Sequence, residues 1–89
     1  MKKIVIDDIK KIVFSILEVE NITIEAETDL TAIGMDSLEF IRIVELLENK
    51  YKCEIADEKL FIPQMNTLKK ISEVLQETLD NNSNEMIKN

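Results

Sequence analysis

Apolar side chains recur at helical spacing along most of the chain. In residues 4–19 they occupy the i, i+3, i+4 and i+7 positions of one face, and charged residues lie mostly off that face, which predicts an amphipathic helix. Residues 20–35 are mostly polar and predict a long first loop. A second helix is predicted over Ser37–Tyr51, with Asp36 as its N-cap and Glu39 completing a capping box.

Two further helices are predicted beyond this second helix. A short third helix covers Asp57–Phe61 and ends before Pro63, because the residue preceding a proline avoids helical backbone. The fourth helix begins after Thr67, and the polar, Asn-rich residues 80–89 are expected to form a disordered C-terminal tail. The pattern therefore predicts an all-α fold, a small four-helix bundle whose domain spans residues 1–79.

The predicted core lies between the first, second and fourth helices. It consists of the inward-facing positions Ile9, Ile12, Val13, Ile16, Ile43, Leu47, Ile71 and Leu75. The second helix carries more apolar side chains than one buried stripe of about 100° requires. Either this helix is central and packs on several neighbours, or some of its apolar residues, Leu38 and Phe40 first, form a surface that contacts partners.

The composition excludes most kinds of enzyme. The 89 residues allow one small domain, none of them is His, and the one Cys is Cys53. His-based triads, His-ligated zinc, disulfide frameworks and Cys-cluster metal sites are therefore excluded. We predict no catalytic residues, no metal site and a role other than catalysis.

The charge of the chain indicates which partners it can meet. A net charge of −7 disfavours nucleic acid and anionic membranes and suits basic partner proteins. The apolar run near the N-terminus stops at Asp7, which is too short for a signal peptide or a membrane span. We expect a cytoplasmic monomer that binds no nucleic acid and does not insert into a membrane.

One short segment, residues 29–38, has functional specificity. It contains the only glycine, Gly34, followed by Asp36 as a cap and Ser37 at the start of the second helix. Free N–H groups and the helix dipole make that position favourable for an attached phosphate group. No neighbouring base that the sequence identifies would activate Ser37 as a nucleophile. From its residue type alone, Ser37 is either an ordinary helix-start residue or a site that another enzyme modifies.

The run Gly34-Met35-Asp36-Ser37-Leu38, placed between an amphipathic helix with its long loop and a second helix, resembles the acyl carrier protein family. The resemblance covers residues 4–79. It implies that Ser37 receives 4′-phosphopantetheine from coenzyme A and that Asp36 is the acid of the motif. It also implies three kinds of partner: a phosphopantetheinyl transferase, acyl- or adenylate-forming enzymes, and condensing enzymes.

The resemblance further implies that the second helix is the surface recognised by basic partner enzymes. Residues 36–58 contain seven acidic and three basic side chains, a balance of −4 that can steer a basic partner. The candidate partner surface consists of Leu38, Glu39, Phe40, Arg42, Glu45 and Glu48.

Some positions depart from the housekeeping fatty-acid carriers. Arg42 stands where those carriers usually have an acid, and Phe40 stands where they tend to have a smaller residue. Asp36 before the serine nevertheless fits fatty-acid and polyketide carriers better than peptidyl carriers. We therefore expect a carrier for a specialised fatty-acid or polyketide-type pathway. Two alternatives stay open: a peptidyl or aryl carrier of a nonribosomal-peptide-type pathway, and a helical interaction module that carries nothing.

Overall fold

A computed structural model describes residues 3–19 and 22–88, with side chains through residue 81. Residues 1 and 2 of the predicted domain, residues 20 and 21 of the predicted loop, and residue 89 of the predicted tail lie outside the described residues. The elements in chain order are α1 (Ile6–Leu17), the 3-10 helix η1 (Leu30–Ile33), α2 (Ser37–Tyr51), the 3-10 helices η2 (Asp57–Lys59) and η3 (Ile62–Gln64), and α3 (Leu68–Lys88). The described ranges contain no β-strand, which confirms the all-α prediction.

The predicted short third helix is not an α-helix. Two 3-10 helices, η2 and η3, lie where a helix over Asp57–Phe61 was expected, so a four-helix bundle is not confirmed. Pro63 does not end this segment as expected but sits in the first turn of η3, where its missing N–H is not needed. Between η2 and η3 the backbone is not helical, since Phe61 is extended with a φ of −126° and a ψ of 135°. A continuous helix is therefore interrupted there, and only short i to i+3 turns form on either side.

The last helix is longer than predicted. α3 runs to Lys88, through most of the segment that was expected to be a disordered tail. No Gly or Pro follows Pro63 in the chain, and Asn and Ser lower helix propensity by well under 1 kcal/mol per residue. Nothing in these residues therefore terminates the helix. The division of the chain into a domain over residues 1–79 and a tail stays a prediction.

α1 packs against both α2 and α3, and the core lies between them. Six of the eight predicted core residues are buried, whereas Ile12 and Ile16 are half-buried at the edge. The core also takes apolar side chains that the prediction omitted: Ile24, Leu30, Met35, Phe40, Val44, Tyr51, Ile55, Met65 and Leu68. Several of these come from the connections, which shows how the long first loop is anchored.

Backbone hydrogen bonds attach the long loop to the start of α3. The Leu30 N–H donates to the Asn66 carbonyl at 2.8 Å, and the Lys69 N–H donates to the Ala26 carbonyl at 2.9 Å. Together with the buried side chain of Leu30, these bonds fix the loop that leads into α2. The position of the first residue of α2 therefore depends on contacts far away in sequence.

Asp29 joins the same attachment through its side chain. Its carboxylate accepts hydrogen bonds from the hydroxyl and the backbone N–H of Thr31, at 2.7 and 3.0 Å, and these bonds lower the pKa of Asp29. The Asn66 amide also donates to Asp29, at 3.3 Å. The Lys70 ammonium donates to Asn66 and to the Pro63 carbonyl, at 3.1 and 3.0 Å. Loop, η3 and α3 thus meet in one polar cluster.

Candidate functional site

The turn before α2 requires glycine for its backbone conformation. Gly34 has a φ of 114°, in the region that L side chains rarely adopt, and its N–H donates to the Thr31 carbonyl at 3.2 Å. Apart from the two neighbouring residues in the chain, no heavy atom would lie within 4 Å of a Cβ added at Gly34. The requirement is therefore conformational rather than steric. Met35, which follows, is buried and anchors the turn to the core.

The predicted capping box at the start of α2 is confirmed. The Glu39 N–H donates to the Asp36 carboxylate at 2.8 Å, and the Asp36 N–H donates to the Glu39 carboxylate at 3.1 Å. These two bonds hold the first turn of α2 and place Ser37 as its first residue. The remaining N–H groups of that turn face the same end of the helix as Ser37.

Ser37 is exposed, and its hydroxyl makes no hydrogen bond to any residue that the structure describes. Two other serines behave differently. The hydroxyl of Ser15 donates to the Ile12 carbonyl at 2.8 Å, and that of Ser72 donates to the Lys69 carbonyl at 2.7 Å. Ser37 therefore presents an accessible hydroxyl that local backbone does not occupy.

An apolar groove of about 540 Å³ begins beside Ser37. It lies between α2 and the segment that contains η2 and η3. Its apolar lining comes from both sides, namely Phe40, Ile41, Val44, Leu60, Phe61 and Ile62, and its polar lining is Ser37, Glu45 and Glu48. A chain attached at Ser37 could therefore lie along an apolar surface.

A model of the phosphopantetheine attachment site family matches residues 7–80, nearly the whole chain. The chain belongs to this family. It is a carrier protein of the acyl carrier protein type, as the resemblance in the sequence indicated, and proteins of this family carry a covalently attached 4′-phosphopantetheine. Carrier domains of this kind are generally not catalysts. A comparison with curated proteins found no match.

The residues of the carrier fit such a group. An attached arm needs an accessible hydroxyl, and Ser37 provides one at a helix start where N–H groups favour a phosphate. The groove beside it can shelter apolar parts of the arm or its cargo. Within the described residues, no cluster of potential ligands could hold a metal ion, and no helix is long and apolar enough to cross a membrane.

The candidate partner surface of the carrier is only partly exposed. Leu38 is 69% exposed, and Arg42 and Glu45 are also exposed. Phe40 is buried, so its predicted place on an open partner surface is wrong. It shares one face of α2 with Ile43, Val44, Leu47 and Tyr51, and that face packs into the core.

Glu39 and Glu48 have local roles in the carrier in addition to any contact with partners. Glu39 closes the capping box, and a Glu48 carboxylate oxygen accepts a hydrogen bond from the Ile55 N–H at 2.8 Å. Sequence reasoning missed two exposed apolar residues beside the groove, Ile41 and Phe61, which are 52% and 56% exposed. The surplus of apolar positions on α2 was the signal for Ile41, whereas nothing in the sequence distinguished Phe61.

Arg42 is exposed and makes no ion pair in the part of the carrier that the structure describes. The ion pair found there joins Lys59 to Glu77, at 3.4 Å. Glu39 and Glu45 lie three positions before and after Arg42 on α2, a spacing at which an ion pair within the helix could form. Since neither pair forms, the Arg42 guanidinium is available to a partner.

We expect Asp36→Ala to destabilise the carrier and to slow phosphopantetheine attachment. Loss of the cap should lower the free energy of unfolding by about 0.5–2 kcal/mol. Asp36→Ser is the matched control, because serine is also a good N-cap and should restore most of the stability. Urea denaturation measures the stability. The rate of attachment is measured as the initial rate at which the intact mass increases during incubation with coenzyme A and a phosphopantetheinyl transferase. If Asp36→Ala is modified at the wild-type rate, the transferase does not depend on this acid or its cap.

Proposed function

We propose that this carrier is an acyl carrier protein with its arm attached at Ser37, serving a specialised fatty-acid or polyketide-type pathway. When attached, the arm supplies a thiol that holds acyl groups as thioesters. The observation that supports the proposal is the apolar groove that begins at Ser37. The accessible Ser37 hydroxyl would accept the phosphopantetheine group, and Asp36 with Glu39 would hold the helix start in place.

The lining of the groove favours an acyl cargo. Each methylene group moved from water into apolar surroundings contributes about 0.8 kcal/mol, so an alkyl chain gains from a long apolar surface. A small aminoacyl group would leave most of that surface in contact with water. An aryl carrier is the second candidate, because the exposed ring of Phe61 beside the groove could stack on an aromatic cargo. The family match argues against an interaction module that carries nothing.

The partners of this function follow from its chemistry. A phosphopantetheinyl transferase would load the arm, acyl- or adenylate-forming enzymes would charge it, and condensing enzymes would use the cargo. The exposed acids around Ser37 suit basic surfaces on such enzymes. A monomeric state, a cytoplasmic location and the absence of nucleic-acid binding stay predictions.

The test is the intact mass of the full chain after incubation with coenzyme A and a phosphopantetheinyl transferase. We expect a gain of one phosphopantetheine group. Incubation with acyl and with aminoacyl or aryl donors, each with its activating enzyme, then separates the first candidate from the second. No mass gain with several transferases of broad specificity would contradict the proposed function.

We expect Arg42→Glu to change which enzymes accept the carrier. A cation in an acidic strip should repel the basic patch of a general fatty-acid enzyme, so its reversal should improve kcat/KM there and impair it with the enzymes of the carrier's own pathway. Both effects should shrink as salt rises. Lys50→Glu is the matched control, because it makes the same charge change near the end of α2 remote from Ser37. Equal responses from both sets of enzymes would show that Arg42 does not select partners.

A further inference from the structure

The groove has a polar end opposite Ser37. Its lining positions on α2 follow one face of the helix, because residues three and four apart are neighbours on a helix surface. Glu48 is the last of them, eleven positions after Ser37 and about 16 Å farther along the axis. A chain that enters the groove beside Ser37 and follows α2 therefore reaches Glu48 last.

Glu48 is held in place at that end. Its carboxylate accepts the Ile55 N–H at 2.8 Å, and the Ile55 side chain is buried in the core. The Glu48 side chain is half-buried and also borders two neighbouring surface pockets, one beside Cys53 and one beside Ala56. Glu48 thus lies between the apolar groove and these two surface pockets.

We propose that Glu48 sets the length of the longest acyl chain that the groove accepts. The inference rests on the proposed function, in which an acyl chain is carried on an arm at Ser37. A methylene group in the apolar part of the groove leaves water, which is favourable. A methylene group pressed against Glu48 would instead remove water from a carboxylate that already has one fixed hydrogen bond, which is unfavourable. Binding therefore strengthens with chain length until the chain reaches Glu48, and then stops strengthening.

The test uses the full chain loaded at Ser37 with acyl-phosphopantetheine arms that carry straight acyl groups from butyryl to palmitoyl. A phosphopantetheinyl transferase moves each arm with its thioester intact from acyl-coenzyme A to the serine hydroxyl, and 3′,5′-adenosine bisphosphate leaves. The measurement is the rate at which hydroxylamine cleaves each thioester, relative to the same acyl group on free pantetheine. Protection is the rate of cleavage on free pantetheine divided by the rate on the carrier. It is expected to rise by up to about fourfold for each added methylene, which corresponds to about 0.8 kcal/mol, and then to stay constant for longer chains. In Glu48→Gln, which keeps an oxygen for the Ile55 N–H, the plateau is expected at a longer chain.

Glu54→Gln is the matched control, because it removes the same charge from an exposed side chain that lies near Glu48 but does not line the groove. Its plateau is expected at the wild-type chain length. The proposal is overturned if Glu48→Gln keeps the wild-type plateau, if both variants shift it equally, or if no chain length is protected. All three outcomes leave attachment visible by mass and the proposed function intact. Absence of any attachment would contradict the proposed function as well.

Discussion

Replacing Ser37 with alanine is expected to abolish phosphopantetheine attachment completely. The Ser37 hydroxyl is exposed at the first position of α2 and has no hydrogen bond to another described residue, so it is open to a transferase. Alanine removes the only oxygen of this side chain and leaves the capping box between Asp36 and Glu39 intact. The free energy of unfolding should therefore change by less than about 0.5 kcal/mol while the mass gain disappears.

Ser72→Ala is the matched control for this result. Its hydroxyl donates to the Lys69 carbonyl within α3, so the same chemical change is made at a serine that the helix backbone already occupies. We expect Ser72→Ala to gain one phosphopantetheine group at the wild-type rate. Measurement of intact mass after equal incubation compares the variants directly. A mass gain in Ser37→Ala would show that the arm is attached elsewhere and would contradict the assignment of Ser37.

The parts of the fold that could be predicted depend on local signals. The capping box of Asp36 and Glu39 follows from residue types three positions apart, and it is present as expected. The stripe that includes Ile43 and Leu47 follows from helical spacing, and both side chains are buried. These features need only the nearest turns of the chain, so sequence pattern alone is enough to find them.

The parts that could not be predicted depend on contacts between distant segments. The backbone hydrogen bond from Leu30 to Asn66 joins the long first loop to the connection before α3, and no local sequence pattern predicts it. The turns η2 and η3 stand where a helix was predicted, with extended backbone at Phe61 between them and the buried side chains of Ile55 and Met65 on either side. The groove beside Ser37 needs both α2 and this segment. A motif could therefore indicate Ser37, while the surface available to its cargo required the fold.

Phe40 shows where reasoning from pattern alone was ambiguous. The apolar surplus on α2 allowed either a central helix or an exposed partner surface, and Phe40 was placed on the surface. Its side chain is 6% exposed, whereas the neighbouring Leu38 is 69% exposed. Phe40 also lines the groove, so it connects the core with the candidate cargo surface. Its substitution should therefore affect stability first and any contact with partner enzymes only indirectly.

Phe40→Ala is expected to lower the free energy of unfolding by about 3–5 kcal/mol, because it removes a buried aromatic ring and leaves a cavity. That loss is large against a total stability of about 5–15 kcal/mol for a small domain, so Phe40→Leu serves as a milder variant that should stay folded. Leu38→Ala is the control, with an expected loss below about 0.5 kcal/mol. Urea denaturation of all three variants measures these differences through the midpoint and the slope. If Phe40→Ala were as stable as Leu38→Ala, the ring would not be packed in the core. The groove would then lack one of the fixed apolar side chains on which the acyl proposal depends.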